Sequence, residues 1–344
     1  MSKRILAVLM TLAMLVMAFA GCAGERGPSY IEGCVTRLGQ YKDMTVTVTD
    51  SETEERVKDL YYEHAVYDVS TEGKVEADTV LSLTRSAAVD GEVIDALALN
   101  GKAYTLGHSG NIPGFDDALV GLNIGEETEI TVDVPSDFED ASIAGKTVKF
   151  TVTPISARIY PEMDDENVYN ALGEEYQVET LSAFRGYCRE SIYAEKLLDA
   201  IVSDTEVDHY VEQDYTAYKN HFQDEYHNDY DERVEQDYTG TYDEYCREFQ
   251  GKSADELDAE VEQGARDYAL KRTVIYAVCE DAGIEASDDL IQNYAVNAFD
   301  AAGYATPKAF IKAVGREYLR YEITLSALEA FYSYILDANT CVSE

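Results

Sequence analysis

Leu106-Gly107, followed at Ile112-Pro113-Gly114-Phe115-Asp116-Asp117-Ala118-Leu119-Val120-Gly121-Leu122, is the stretch on which the reading of this 344-residue chain turns. It lies inside a region of period-two alternation. Met44-Thr45-Val46-Thr47-Val48, Thr79 to Leu83, Glu127 to Val134 and Thr147 to Ala157 each alternate apolar and polar side chains and read as strands. Asp90-Gly91 is a turn signal between two strands, and Gly121 and Gly125 punctuate the approach to the Glu127 strand. One helix interrupts early: Ser51 with Glu54 has the spacing of a capping box and opens a helical stretch towards Tyr67.

Near Pro161 the pattern changes, and the remainder reads as helix at 180–203, 205–236, 241–250, 255–283, 288–302 and 307–338. Ser253 with Glu256 forms a second capping box, and Thr306-Pro307 is an N-cap followed by proline at the first helical position. The last helix carries a broad apolar face through Phe310, Ile311, Val314, Tyr318, Leu325, Leu328, Phe331 and Ile335, which must pack on something. Between 211 and 238, Val211, Tyr215, Tyr218, Phe222, Tyr226, Tyr230, Val234 and Tyr238 recur every three or four residues against an acidic background. Val211-Glu212-Gln213-Asp214-Tyr215-Thr216 also recurs as Val234-Glu235-Gln236-Asp237-Tyr238-Thr239; two copies do not make a solenoid. The stripe fits either helix–helix packing or an aromatic surface that clients touch.

The N-terminus reads as an export signal. Lys3 and Arg4 precede an almost uninterrupted apolar run from Ile5 to Phe19, too short for a comfortable membrane span. Phe19-Ala20-Gly21-Cys22 resembles a bacterial lipobox, although Leu is usual where Phe19 stands. That resemblance implies cleavage before Cys22 and lipidation of its thiol, a membrane anchor worth about 0.8 kcal/mol per buried CH₂. Loss of residues 1–21 takes away Lys3 and Arg4 and no acid, which leaves 25 basic against 67 acidic side chains and a formal charge of −42. Phosphate backbones repel such a chain, so nucleic acid is excluded as a partner. Five scattered cysteines follow Cys22 (Cys34, Cys188, Cys246, Cys279 and Cys341), an odd number that argues against a full disulfide framework and leaves a Cys188–Cys246 bridge open. Nucleotide loops, zinc-protease and nucleophile-elbow motifs are absent, and His209, His221 and His227 read as surface side chains.

The Leu106–Leu122 stretch resembles the signature of FKBP-type prolyl isomerases, in the version found in trigger factor. Val134-Pro135-Ser136-Asp137-Phe138 and Ala144-Gly145-Lys146-Thr147-Val148-Lys149-Phe150 continue the pattern downstream; Asp90-Gly91 with Ile94-Asp95 stands at the place of the family's turn and pocket edge. The resemblance implies an α+β fold, an antiparallel sheet wrapped on a short helix, followed by an all-helical chaperone region. The expected organisation is a signal peptide at 1–21, an anchor, linker and short strand-helix segment at 22–74, the isomerase domain at 75–160 and the helical region at 161–344. The family's basic ribosome-docking loop has no counterpart, so the ribosome is not an expected partner; unfolded or newly exported polypeptides with X–Pro segments are.

The chemistry so implied needs no nucleophile, metal or cofactor. Rotation about a peptide bond meets a barrier of about 18–20 kcal/mol that arises from amide resonance. The two X–Pro isomers differ by only about 0.5–1 kcal/mol, so lowering the barrier suffices. A dry apolar pocket disfavours the charge-separated planar amide relative to the twisted one. By the resemblance, Phe115 is the floor beneath the proline ring, Ile112 walls the pocket and offers its backbone N–H, Phe150 closes the side and Asp95 is the polar group at the edge. Tyr104 and Phe138 join them in holding substrate, and Tyr218, Tyr226 and Tyr230 are the expected client contacts of the helical region. Three departures thin the pocket. Across a one-residue insertion Leu83 aligns with a strand aromatic, Ile94 replaces a pocket Phe, and Lys102 stands where another aromatic is usual. They leave a second reading, a non-enzymatic holdase with a degenerate FKBP pocket.

Overall fold

The computed structural model describes residues 29–77, 79–94, 97–107, 111–138, 140 and 143–343; the expected export signal with Cys22, and Asp95, lie outside them. In chain order the elements are β1 (Val35–Arg37), β2 (Thr45–Val48), α1 (Asp50–His64), β3 (Asp68–Ser70), β4 (Val80–Val89), β5 (Glu92–Val93), β6 (Leu99–Thr105), α2 (Phe115–Leu119), β7 (Thr128–Asp133), β8 (Thr147–Ile159) and α3 (Asp165–Tyr176). They continue with α4 (Leu181–Asp204), β9 (Glu206–Val207), α5 (Glu212–Glu235), α6 (Tyr242–Tyr245), a π-helical turn (Cys246–Gln250), α7 (Ala254–Ala282), α8 (Asp288–Ala298), α9 (Pro307–Val314), α10 (Arg316–Ser326), α11 (Leu328–Asp337) and β10 (Thr340–Ser343). The class is α+β, a sheet region followed by a helical one.

Two compact units divide the chain, and their limits differ from the expected break at Pro161. Residues 54–185 form one unit; residues 29–53 belong with 186–343 in the other. Hydrogen bonds explain why 161–185 stay with the sheet. Tyr61 donates its hydroxyl to the Pro161 carbonyl (3.2 Å), Tyr160 to the Tyr62 carbonyl (3.0 Å), and the Leu181 N–H bonds to Asp165 (2.8 Å). Helix α3, absent from the expected elements, buries Val168, Leu172 and Tyr176 there.

The sheet is built on β8, whose thirteen residues are long enough to pair antiparallel with β3, β7 and β4. β4 in turn pairs with β5 and β6 on its other side. Alternation along β8 buries Val148, Phe150 and Val152 completely while Thr147 and Lys149 face solvent. The register slips at Ile155, next to Pro154, which has no N–H to give the ladder. Along β4, Leu81, Leu83, Arg85 and Ala87 share one face; Leu81 and Leu83 are completely buried.

In the helical unit β1 pairs with β9 and β2 pairs in parallel with β10. Side chains from α4, α7, α10 and α11, among them Leu197, Ile201, Tyr276, Val278, Tyr321, Leu325, Phe331 and Ile335, fill its main core. Phe310, Ile311, Ile291, Ala295, Leu319 and Ile323 make a second cluster. The expected single helix over 307–338 is three, because Gly315 (φ 96°) breaks it once and Ala327 (φ −107°, ψ 48°) again. The expected helix over 205–236 begins only at Glu212, since Glu206 and Val207 are taken up by the strand pairing with β1. Both later capping signals form as read: Ser253 and Glu256 exchange hydrogen bonds, and Thr306 accepts from the Ala309 N–H ahead of Pro307. The early one forms elsewhere. Thr49 and Glu52, not Ser51 and Glu54, make the reciprocal pair, because β2 ends at Val48 and α1 starts at once.

The tyrosine stripe is packed. Tyr218 lies 5.1 Å from the Tyr268 ring and over Gly264 of α7, where a Cβ would come within 2.9 Å of its hydroxyl. Tyr226 and Tyr230 pack with Tyr238 and Tyr242 on the buried Tyr245, Cys246 and Leu257. The repeated hexapeptide serves two structures: its first copy opens α5, and its second ends it, with Asp237 in the left-handed region (φ 71°). Cys188 and Cys246 are both buried, and no disulfide joins them.

A buried charge cluster joins α5, α7 and α10. Arg272 sits 3.0 Å from both Asp214 and Glu322, and Tyr321 donates its hydroxyl to Asp214. Burial raises the carboxyl groups of Asp214 and Glu322 against the attraction of Arg272; burial opposes the guanidinium charge too, but the two acids hold it well above its ordinary value. Removing one partner of such a cluster strands the rest. Arg272→Met is therefore expected to cost about 3–5 kcal/mol in urea unfolding. The two stranded carboxyls, raised in the folded state, then favour folding below their unfolded pKa and lose that contribution as pH rises through the folded one. The deficit should shrink on acidification from pH 7 to 5. A variant as stable as wild type, or one whose deficit grows on acidification, contradicts this.

Candidate proline-binding cleft

Backbone geometry sets α2 against the sheet. Gly114 takes a left-handed conformation (φ 83°) that turns the chain, and the Phe115 N–H closes the turn on the Ile112 carbonyl (3.0 Å). The stretch is then pinned at its far end, where Gly121 donates to the Val75 carbonyl (2.8 Å) and Val75 to Leu122 (2.9 Å). Phe115 and Leu119, one turn apart, are both completely buried.

The Phe115 ring stands edge-on to Phe150 at 4.6 Å and to Tyr104 at 5.6 Å. Asp116 organises the mouth. It accepts from the Tyr104 hydroxyl (2.6 Å), the Gly107 N–H (2.7 Å) and the Asn111 side-chain amide (2.8 Å), and Asn111 also donates to the Thr105 carbonyl (2.8 Å). Burial, reinforced by the Asp116 carboxylate, pushes the Tyr104 phenol far above its usual range, so it stays a neutral donor. A cleft of about 260 Å³ results, lined by Arg85, Leu97, Tyr104, Asn111, Ile112, Phe138 and Asp140. Two larger depressions in the helical unit are shallow; one is lined mainly by acidic side chains of α5, the other by a mixture that includes Ile31, Val35, Leu38, Glu280 and Asp281.

Of the expected residues, Ile112, Tyr104 and Phe138 line the cleft. Phe115 and Phe150 stand behind it and are completely buried, so they support the lining and do not themselves face solvent. Asp95 lies outside the described residues. Tyr218, Tyr226 and Tyr230 belong to the other unit, where their rings are half-buried in packing contacts. Leu83 is not a cleft residue: it is completely buried in the sheet core, Ile94 packs partly against that core, and Lys102 is exposed on β6. The residue that β4 does present to the cleft is Arg85. Its signal was in the strand phase, since Leu81, Leu83, Arg85 and Ala87 fall on one face by simple alternation. Asn111 and Asp116 carried no such signal, because their roles depend on where β6 ends.

Residues 69–154 match the FKBP-type peptidyl-prolyl cis-trans isomerase family. Over 312 residues the chain is 29% identical to the trigger factor of Streptococcus equi subsp. zooepidemicus (strain MGCS10565), covering 84% of this chain and 70% of that protein. The trigger factor of Caldicellulosiruptor bescii is 38% identical over 136 residues, 38% of this chain and 31% of that protein. A solved structure of the trigger factor chaperone aligns with 88% of this chain and 72% of its own, at 19% identity and a TM-score of 0.25. The family match places an FKBP-type domain at residues 69–154, the stretch that carries most of the cleft lining. The chain as a whole is trigger-factor-like.

Proposed function

We propose that this chain is a peptidyl-prolyl cis-trans isomerase joined to a folding chaperone, acting outside the cytoplasm on newly exported polypeptides and held at the membrane by lipid on Cys22. The observation that carries the isomerase reading is the convergence of Ile112, Tyr104 and Phe138 on one cleft backed by Phe115 and Phe150, all within the matched segment. Tyr104 and Phe138 are half-buried and offer apolar faces to a proline ring, while Ile112 walls it. Water excluded by these side chains no longer stabilises the charge-separated amide, and the barrier of about 18–20 kcal/mol falls. Asn111 and the Tyr104 hydroxyl are already engaged by Asp116, so the mouth keeps its shape with or without substrate.

The chaperone reading rests on the similarity to trigger factors over most of the chain and on the helical unit. The location rests on Lys3, Arg4, the apolar run to Phe19 and Cys22. No helix among the described residues is long and apolar enough to cross a membrane. One observation favours the holdase reading instead: the guanidinium of Arg85 lies over the Phe115 ring, 5.1 Å from its centroid.

The mature chain is expected to accelerate exchange of an X–Pro tetrapeptide, and Phe115→Ala to abolish that acceleration. Losing so buried a ring costs about 3–5 kcal/mol, so melting must be followed beside activity. A folded wild-type chain that accelerates no X–Pro peptide hands the function to the holdase reading. For the location, Cys22→Ala should release the protein from membranes or block its processing. An intact mass that shows cleavage elsewhere and no lipid refutes the anchor.

A further inference from the structure

We infer that Arg85 is a plug on the proline seat, which an X–Pro segment must displace before its peptide bond can be turned. The inference rests on the isomerase reading above and deepens it. Arg85 stands on the core-facing side of β4 between Leu83 and Ala87, where an apolar side chain would be the ordinary occupant. Its guanidinium carbon is 5.1 Å from the centroid of Phe115, 5.8 Å from Phe150 and 5.9 Å from Tyr104, within the range of cation–π attraction for all three rings. Its Nε donates to the carbonyl of Leu97, another residue of the cleft lining, at 2.7 Å.

Two further facts set this cation apart. The chain carries 67 acidic side chains against 27 basic ones, and many of the other arginines meet a carboxylate. Arg85 has no ion-pair partner among the described residues, and burial pulls its pKa down. It has been placed against aromatic faces instead of acids. The second fact is that Phe115 is completely buried although it backs an open cleft; a flat group the size of a proline ring already lies on it. Substrate therefore competes with the guanidinium for the same face. Breaking the cation–π contacts and one carbonyl hydrogen bond weakens peptide binding by about tenfold.

The test uses the full mature chain, Arg85→Ala and Arg85→Thr, the latter suited to a strand should alanine loosen the sheet. Each is titrated with a neutral X–Pro tetrapeptide by NMR, and X–Pro exchange is measured in the same samples. Both variants are expected to bind about tenfold more tightly and to raise kcat/KM by a similar factor. A variant with wild-type circular dichroism and melting that binds the peptide no tighter, or more weakly, overturns the plug even where the wild type isomerises. Tighter binding without acceleration in any of the three proteins sustains the plug and removes the isomerase reading.

Discussion

The edge-on contact between Phe115 and Phe150, at 4.6 Å with both rings wholly buried, is the joint on which the sheet unit depends. It ties the short helix α2 to β8, the strand that pairs with β3, β4 and β7. A helix of five residues has little stability of its own, because nucleation is costly and only tertiary packing repays it. The same two rings back the cleft. Core and site thus share one wall, and the cleft has its shape because the domain has its core.

That economy explains the distribution of polar groups. The outer side of the wall is dressed by Asp116, which draws Tyr104, Gly107 and Asn111 together with three hydrogen bonds, and by Arg85, whose charge is set against aromatic faces. The helical unit solves a different problem with a different buried polar group. Asp214, Arg272, Tyr321 and Glu322 link α5, α7 and α10 through two buried ion pairs and a hydrogen bond. The tyrosines of α5 complete the contact with α7, and their spacing follows from packing over Gly264 and around Tyr245.

Local signals were legible and distant ones were not. Ser253 with Glu256 and Thr306 with Pro307 act within one helical turn, so the sequence states them outright. The alternation of β8 and the ordered motif from Leu106 to Phe150 were equally plain. The pairings of Val35 with Val207 and of Thr340 with Thr45 join residues far apart in the chain, and neither partner announces the other. Ser51 with Glu54 and Thr49 with Glu52 have identical spacing; only the end of β2 at Val48 chooses between them. Arg85 was missed because alignment across an insertion pointed to Leu83, whereas strand phase puts both residues on one face and leaves the cleft to the second.

A seat for proline backed by Phe115 is what the proposed function requires of this cleft. It is tested most directly by aromatic-ring NMR of the phenylalanine- and tyrosine-labelled chain, titrated with an X–Pro peptide and with its alanine-for-proline analogue. The Tyr104 and Phe138 ring signals are expected to shift with the proline peptide and to stay in place with the analogue. Equal shifts from both peptides, or shifts confined to the tyrosines of α5, would contradict it.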